Sequence, residues 1–348
     1  MKSCLLPFIL IVITSLVLWQ ILGVPASANE IFPENPISIS ADGNYLAVQA
    51  GDYLYLFNPP KTQEPVWTEK TWGIPCVSLS SDGSRLAIGG AWWSPIVFAP
   101  VENTSIWSYE ADSLTVSLSP DGRYLATGTS VYDADLGKVL NKIYFFDIDS
   151  SVLIWSYELF NENPWGLSVS ENGRFILAST WFHIYLFTKS DNEPIWSYEA
   201  TFASVSLSAD GYYIVIWTLD GVYVFTQEDN VPIRSYPWAQ AVSISADGNY
   251  IAACSSDTIY LISLEDNAIL WSYPLKTSYL SISSGGGRIA AASRDVTDVY
   301  LFTRDSSDPV WSYSFKKPTL WDQIILVIIY SVSVSLGVIG CLVLMKRR

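Results

Sequence analysis

Apolar and small polar residues alternate in short stretches along the chain, as in "VSLS" at Val116–Ser119. A side-chain period of two is typical of a strand with one buried face. An Asp-Gly pair and a second apolar stretch follow, as in "DGRYLA" at Asp121–Ala126. Glycine accepts the positive φ that a tight turn requires, and aspartate tolerates it. The pattern therefore predicts two antiparallel strands joined by a short turn.

This predicted hairpin recurs seven times, at starting positions 37, 77, 116, 167, 205, 242 and 280. After each copy the chain predicts a third strand, such as "IYLFT" at Ile184, and a fourth, such as "IWSYE" at Ile195. A single four-stranded sheet of this size cannot bury both of its faces. We therefore predict an all-β fold, a seven-bladed β-propeller with four antiparallel strands per blade over residues 37–318. A solenoid is the alternative, but neither end of the array carries a polar capping repeat.

The fourth strand carries a tryptophan at one repeated position, and Arg234 replaces it in the fifth repeat. We interpret this strand as the outermost of each blade. A large amphipathic ring at that place covers the blade edge and staples it to the neighbouring blade. The structural tryptophans are Trp67, Trp107, Trp155, Trp196, Trp271 and Trp311.

Two portions of the repeat resemble known families. "VSLSPDGRYLATG" resembles the first two strands of WD-repeat propellers, and "IYLFTKSDNEPIWSYE" resembles the repeats of quinoprotein (PQQ) propellers. The resemblance covers all seven repeats and implies a β-propeller of the kind found in membrane-anchored prokaryotic surface proteins, archaeal ones included. Such propellers host enzymes, scaffolds and receptors, so the resemblance implies little about function. The chain lacks the Gly-His dipeptide and the Trp-Asp ending of intracellular WD repeats.

A quinoprotein-like periplasmic or cell-surface oxidoreductase is the alternative function. The resemblance to quinone-dependent dehydrogenases implies eight blades, a bound calcium and often adjacent cysteines under the cofactor. The chain has seven repeats, no Cys-Cys pair and no evident acid–Asn cluster for calcium. We therefore expect no cofactor.

Both ends of the chain predict export and anchoring. Lys2, the apolar run to Val24 and a small-residue site at Ala26–Ala28 predict a signal peptide over 1–28, with an uncleaved N-terminal anchor as the alternative. A lead-in over 29–36 precedes the propeller, and a juxtamembrane stretch over 319–323 follows it. The uncharged segment 324–345 is long enough for a transmembrane helix. The basic tail 346–348 places the C-terminus in the cytoplasm, so we expect a single-pass plasma-membrane protein with an extracytoplasmic propeller.

Charge and cysteine usage narrow the classes of partner. All 34 acidic residues but only 15 of the 19 Lys and Arg residues lie between 29 and 322, which gives that segment a formal charge near −19. This charge disfavours nucleic acid and anionic lipid as partners. Cys76 and Cys254 lie in distant repeats, so two buried thiols are expected and a disulfide is not.

Catalytic patterns are sparse. His183, beside Trp181 and Phe182, is the only histidine, and a general base also needs a nucleophile and an orienting acid. The chain has no HExxH, Cys-x-x-Cys, Walker A or dinucleotide-type glycine loop. We predict no catalytic residues, no metal site and no enzymatic activity.

Large aromatic residues cluster in the second-to-third and fourth-to-first connections, which emerge on one face of a propeller with this strand order. Aromatic loops on a rigid scaffold are typical of binding sites. The equal alternative is that these rings pack against one another and close the mouth of the ring. The insertion of the long third repeat, 132–141, falls on the same face. The candidate ligand-binding residues are Trp72, Trp92, Trp93, Tyr132, Trp165, Trp181, Phe182 and Trp238.

These observations predict a non-catalytic, membrane-anchored extracytoplasmic propeller that binds a protein, peptide or glycan through these aromatic loops. A sequon, Asn103-Thr104-Ser105, lies at a third-to-fourth strand turn. That turn belongs to the opposite face, so a glycan there leaves the aromatic loops open.

Overall fold

The computed structural model describes residues 36–71, 76–90, 93–133, 137–160, 162–201, 204–293 and 295–315. The predicted signal peptide, juxtamembrane stretch, transmembrane helix and tail lie outside the described residues, as does the lead-in up to residue 35. Within the described residues the chain forms 28 strands and one single-turn 3-10 helix, Glu171–Gly173.

The strands group into seven blades of four. Blade 1 contains β1 (Ile37–Ile39), β2 (Leu46–Ala50), β3 (Tyr53–Phe57) and β4 (Trp67–Lys70). Blade 2 contains β5 (Cys76–Leu79), β6 (Leu86–Gly90), β7 (Trp93–Ala99) and β8 (Thr104–Ser108). Blade 3 contains β9 (Ser113–Leu118), β10 (Tyr124–Asp133), β11 (Lys138–Asp147) and β12 (Val152–Leu159). Blade 4 contains β13 (Pro164–Val169), β14 (Phe175–Thr180), β15 (His183–Thr188) and β16 (Asp191–Glu199).

The last three blades continue the same order. Blade 5 contains β17 (Ser204–Leu207), β18 (Tyr213–Thr218), β19 (Gly221–Thr226) and β20 (Arg234–Tyr236). Blade 6 contains β21 (Ala241–Ile244), β22 (Tyr250–Cys254), β23 (Thr258–Ser263) and β24 (Ala268–Pro274). Blade 7 contains β25 (Thr277–Ile282), β26 (Arg288–Ser293), β27 (Asp298–Thr303) and β28 (Ser306–Ser314). Strands within a blade pair antiparallel in chain order, so the prediction of an all-β, seven-bladed propeller is confirmed.

Blades 2 and 3 depart from this regularity, because a single pair, Trp93 with Ser113, joins them into one eight-stranded sheet. Gly89 allows this close approach. A Cβ atom at Gly89 would lie 2.5 Å from Ser113 Oγ and 2.4 Å from a methyl carbon of Val116. A larger residue at position 89 would therefore push β9 away from blade 2.

Main-chain hydrogen bonds close the ring around a central channel. The Ser284 N–H of blade 7 donates to Ala41 O of blade 1 at 3.0 Å, and the Ala41 N–H donates to Ser81 O of blade 2 at 2.8 Å. The channel has a volume of about 170 Å³, and residues from all seven blades line it. Blade 7 therefore meets blade 1 as any other two blades meet, with no strand exchanged between the ends of the chain.

In six of the repeats, the first serine of the "VSLS" stretch links one blade to the next. Ser38 Oγ accepts a hydrogen bond from the Leu79 N–H at 3.0 Å, and Ser78 Oγ accepts one from the Leu118 N–H at 2.9 Å. Ser281 Oγ accepts from the Ile39 N–H at 3.1 Å, which repeats the link at the closure of the ring. The same link joins Ser117 with Val169, Ser168 with Leu207, and Ser206 with Ile244.

The second serine and the Asp-Gly pair build the turn that the sequence predicts. Ser80 Oγ donates to Asp82 Oδ1 at 2.8 Å and accepts from the Arg85 N–H at 3.0 Å. Gly83 has a φ of 71°, and a Cβ atom there would lie 2.4 Å from the ring of Tyr45 in the preceding blade. Both the backbone conformation and the close packing therefore require glycine.

The repeated tryptophan packs against a phenylalanine in the third strand of the next blade. Ring centroids lie 5.0 to 6.2 Å apart at six junctions. The pairs are Trp67–Phe98, Trp107–Phe146, Trp155–Phe187, Trp196–Phe225, Trp271–Phe302 and Trp311–Phe57. Blade 5 meets blade 6 with Arg234 and Ile262 at these two positions, so both partners differ at the same junction.

Polar ends of these side chains bond to the third-to-fourth turn of the next blade. Trp67 Nε1 donates to Asn103 Oδ1 of the sequon at 2.8 Å, and Asn103 has a φ of 53°. At the junction of blades 5 and 6, Tyr236 Oη donates to Asn267 Oδ1 at 2.7 Å, and Asn267 has a φ of 54°. Tyr236 thus makes the polar contact that a tryptophan makes elsewhere.

Cys76 and Cys254 are buried free thiols, as predicted. Burial raises the pKa of the Cys254 thiol to about 12. The thiol is therefore protonated at neutral pH and acts as a small apolar side chain.

Candidate functional site

The aromatic loop face is the face formed by the second-to-third and fourth-to-first connections. Two of its predicted binding residues, Trp72 and Trp92, lie outside the described residues. Trp93 begins β7 and Tyr132 lies in β10, and only their backbone is described. The predicted binding residues whose side chains are described therefore lie in blade 4 and in the connection from blade 5 to blade 6.

Three predicted residues, Trp165, Trp181 and Phe182, come together in blade 4. The rings of Trp165 in β13 and Trp181 in the following connection meet edge-on, with centroids 6.1 Å apart. Phe182 projects from the same connection and is 52% exposed. The two tryptophans therefore contact each other, while Phe182 presents an apolar surface to the solvent.

Trp238 lies apart from this group, in the connection from blade 5 to blade 6. Its ring packs against Tyr260 of blade 6 with centroids 4.5 Å apart, and against Tyr236 at 6.1 Å. The side chain remains 38% exposed. Part of its surface thus belongs to the junction between the blades.

A polar cluster that the sequence did not predict lies beside Trp181. His183 Nδ1 and Glu162 Oε1 are 2.7 Å apart, and Thr180 Oγ1 donates to the other carboxylate oxygen of Glu162. Glu162 lies in the connection from blade 3 to blade 4. Thr180 Oγ1 also accepts the His183 N–H at 2.9 Å, which fixes the start of β15 against the end of β14. The cluster therefore positions the connection that carries Trp181 and Phe182.

Two tyrosines near this cluster are held in their neutral form. Burial raises the pKa of Tyr185 to about 12, and the negative charge of Glu162 adds to the shift. Burial also raises the pKa of Tyr157, with smaller contributions from Glu193 and Glu162. Their phenol rings pack with centroids 5.8 Å apart across the junction of blades 3 and 4. At neutral pH they act as aromatic packing groups with a polar tip.

An open cleft of about 500 Å³ separates blades 4 and 5 on the aromatic loop face. Phe182, Tyr198 and Glu199 line its blade 4 side, and Leu219 and Asp220 line its blade 5 side. Leu219 is 66% exposed. The cleft therefore combines two protruding apolar side chains with two carboxylates. Other lining residues are His183, Ala200, Thr201, Thr218 and Tyr223.

A second cleft, of about 480 Å³, occupies the same position between blades 2 and 3. Tyr109, Glu110 and Asp112 line its blade 2 side, and Lys142 and Tyr144 line its blade 3 side. The sequence "WSYEA" precedes both clefts, at Trp107–Ala111 and Trp196–Ala200. The two clefts are therefore repeats of one architectural feature.

Within the described residues, no group of three or more His, Cys, Asp or Glu side chains is placed to hold a metal ion. No helix in these residues has the length and apolar character to cross a membrane. The segment for which a span is predicted, 324–345, lies outside them.

No protein-family model and no curated protein sequence matches the chain. Among solved structures, the chain is similar to the β-propeller domain of Cps50 (Swd1) from Myceliophteria thermophila. The two share 14% sequence identity with a TM-score of 0.61, over 78% of this chain and 96% of the other. This likeness supports the propeller fold alone, since the identity is low.

Proposed function

We propose that the protein is a non-catalytic interaction module that binds a partner protein through its aromatic loop face. One observation carries the proposal: Phe182 and Leu219 protrude into solvent on the two sides of the cleft between blades 4 and 5. Propellers that resemble WD40 domains, as this one does, commonly act as scaffolds for protein interactions. Exposed apolar side chains beside a concave surface are typical of protein interfaces.

A protein fits this face better than a glycan does. Stacking against a sugar requires an open ring face, whereas Trp165 and Trp181 turn toward each other edge-on. The most exposed large apolar side chain of the cleft is aliphatic Leu219, which offers contact area and no stacking plane. Aliphatic and aromatic anchors surrounded by polar groups are the usual make-up of a protein interface.

The proposal includes the setting in which binding occurs. The signal peptide predicted over 1–28 and the transmembrane helix predicted over 324–345 support an extracytoplasmic propeller tethered to the plasma membrane. The partner therefore binds outside the cytoplasm, and the chain acts by holding it at the membrane surface.

Site-specific photo-crosslinking in native membranes tests this function. A photoreactive phenylalanine analogue replaces Phe182 or Leu219 on the aromatic loop face of the full-length chain. The matched control replaces Val231, which is 62% exposed in the third-to-fourth turn of the same blade 5, on the opposite face. We expect a discrete protein adduct from positions 182 and 219 and none from position 231. Adducts of equal yield from both faces, a glycan adduct, or none from positions 182 and 219 would contradict the proposal.

A further inference from the structure

In three successive blades, a threonine of the second strand lies opposite one equivalent position in the third strand. Thr129 Oγ1 donates to Lys142 O at 3.5 Å in blade 3. Thr180 Oγ1 lies 3.1 Å from His183 O in blade 4, and Thr218 Oγ1 donates to the corresponding carbonyl in blade 5 at 3.2 Å. The residue that accepts the bond in blade 5 is Gly221. Two of the three positions therefore carry a basic side chain, and the third carries none.

The two basic side chains lie next to carboxylates of the chain itself. Lys142 lines the cleft between blades 2 and 3 together with Glu110 and Asp112. His183 bonds to Glu162 at the junction of blades 3 and 4. At the first junction a lysine lines the same cleft as the carboxylates, and at the second the protein supplies both the anion and its nitrogen partner.

The cleft between blades 4 and 5 retains the carboxylates without an internal cation. Glu199 and Asp220 line it, and both are exposed. None of its lining residues is a lysine or arginine, and the histidine among them, His183, is bonded to Glu162. Among the described residues, no ion pair joins Glu199 or Asp220 to a cation. Gly221 cannot be replaced by a basic residue, because its φ is +129° and a Cβ atom would lie 2.8 Å from Tyr236 O.

The aromatic walls of this cleft favour a bound cation, as its two carboxylates do. The half-buried phenol rings of Tyr198 and Tyr223 line it. Aromatic ring faces attract ammonium and guanidinium groups. The apolar stems of lysine and arginine pack on apolar side chains such as Phe182 and Leu219. The net charge of −15 for the whole chain further favours a basic partner.

We propose that the cleft between blades 4 and 5 binds a cationic side chain, a lysine ammonium or an arginine guanidinium, of the partner protein. This inference rests on the proposed function and names the chemistry that the partner brings to the same face. The partner's cation takes the place that Lys142 occupies in the cleft between blades 2 and 3. Glu199 and Asp220 supply the opposite charge, and Phe182 and Leu219 cover the apolar stem.

A labelled peptide tests the charge assignment directly. The probe is fluorescein-labelled hexa-arginine, with hexa-lysine as a second cation and hexa-glutamate as the negative control. Fluorescence anisotropy with the full-length chain gives the Kd at about 0.15 M ionic strength, where long-range attraction is screened. The variant Glu199→Gln with Asp220→Asn is compared with Glu110→Gln with Asp112→Asn, which removes the same charge from the other cleft.

We expect the Kd for hexa-arginine to rise about tenfold or more in the Glu199 and Asp220 variant and less than about twofold in the control, a difference of about 1.4 kcal/mol per factor of ten. We also expect Lys142→Met to open the cleft between blades 2 and 3 and to add a second binding site for the peptide. Equal weakening in both charge variants would show attraction to the acidic surface as a whole and would overturn the inference. Undetectable binding of both cationic peptides to the unsubstituted chain would overturn it as well.

The photo-crosslinked partner separates failure of this inference from failure of the function. If that partner binds the Glu199 and Asp220 variant as tightly as the unsubstituted chain but loses affinity for Leu219→Arg, the charge assignment is wrong and the protein-binding function stands. If neither variant changes its affinity, the function itself is wrong. Melting temperatures of all variants are measured in parallel, so that loss of binding is compared only among folded proteins.

Discussion

Trp311 in the last strand of blade 7 packs edge-on against Phe57 in blade 1, with ring centroids 5.3 Å apart. The same contact between a tryptophan and a phenylalanine joins five other pairs of neighbouring blades. Many closed rings exchange a strand between their ends, whereas here each blade uses four consecutive strands. Closure therefore depends on side chains such as Trp311 and on the hydrogen bonds from Ile39 N–H to Ser281 Oγ and from Ser284 N–H to Ala41 O.

Truncation of Trp311 should weaken the junction that closes the ring. We expect Trp311→Ala to lower the free energy of unfolding by about 2 to 4 kcal/mol, because buried Phe57 loses one of the large rings packed against it. Val310→Ala, on the exposed side of the same strand, should change it by less than about 0.5 kcal/mol. Urea unfolding of the full-length chain, followed by circular dichroism, measures both. Equal effects of the two substitutions would show that the ends of the ring are not held by this contact.

We expect that Arg234 and Ile262 can be replaced by tryptophan and phenylalanine, the pair at the other junctions, only when both are changed together. Ile262 is buried, so Ile262→Phe alone should overfill its site and destabilise by about 1 to 3 kcal/mol. Arg234→Trp in addition should restore part of that loss, because the two rings then make the contact seen at other junctions. A double-mutant cycle should give a coupling of about 0.5 to 1.5 kcal/mol. Strictly additive effects would mean that the junction of blades 5 and 6 has a different geometry.

The serine links between blades should make a measurable contribution to stability. Ser78→Ala leaves the Leu118 N–H without its acceptor, and an unpaired donor in a partly buried site costs about 1 to 2 kcal/mol. Ser235, exposed in the outermost strand of blade 5, is the control. We expect Ser235→Ala to have almost no effect on the urea midpoint. If Ser78→Ala unfolds at the same urea midpoint as the unsubstituted chain, the serine link does not help to join the blades.

Acid should weaken the ion pair between Arg123 and Asp147. Arg123 Nη2 lies 2.8 Å from Asp147 Oδ2, and this bond lowers the pKa of Asp147 below its ordinary value of 3.8. Because the folded-state pKa is the lower one, the pair stabilises the fold above pH 3.8 and loses its effect as the pH falls through the folded-state pKa. The gain is small, since the side chain of Arg123 is half exposed and solvent screens the pair.

Unfolding free energies between about pH 5 and about pH 2 check this dependence. The difference between the unsubstituted chain and Asp147→Asn should shrink toward the acid end, and Arg123→Met should show the same trend. A difference that stays constant across this range would contradict the ion-pair explanation.

The propeller was predictable because its signals repeat. A period of two, an Asp-Gly turn and a fixed spacing each report local geometry, and seven copies reinforce one another. The role of Ser78 was not predictable in the same way. Its hydroxyl meets the N–H of Leu118, 40 residues later, and no pattern states which neighbour a hydroxyl reaches.

The candidate site was predictable only in part. Trp165, Trp181 and Phe182 stand out by residue type, and the structure places them together in blade 4. Glu162 and Leu219 were missed, because each is a single residue in an irregular connection where no periodicity applies. The signal that identifies the cleft is a comparison across repeats. It compares the third-strand residues that lie opposite an equivalent threonine in blades 3, 4 and 5.

The affinity of the photo-crosslinked partner for two matched variants tests the central claim most directly. Leu219→Arg and Val231→Arg each add one positive charge to an exposed position of blade 5, on opposite faces. A protein interface on the aromatic loop face predicts at least about a thirtyfold loss of affinity for Leu219→Arg, since a central apolar anchor contributes about 2 kcal/mol or more. It predicts unchanged affinity for Val231→Arg. Equal affinity of the partner for both variants would contradict the assignment of this face as the binding surface.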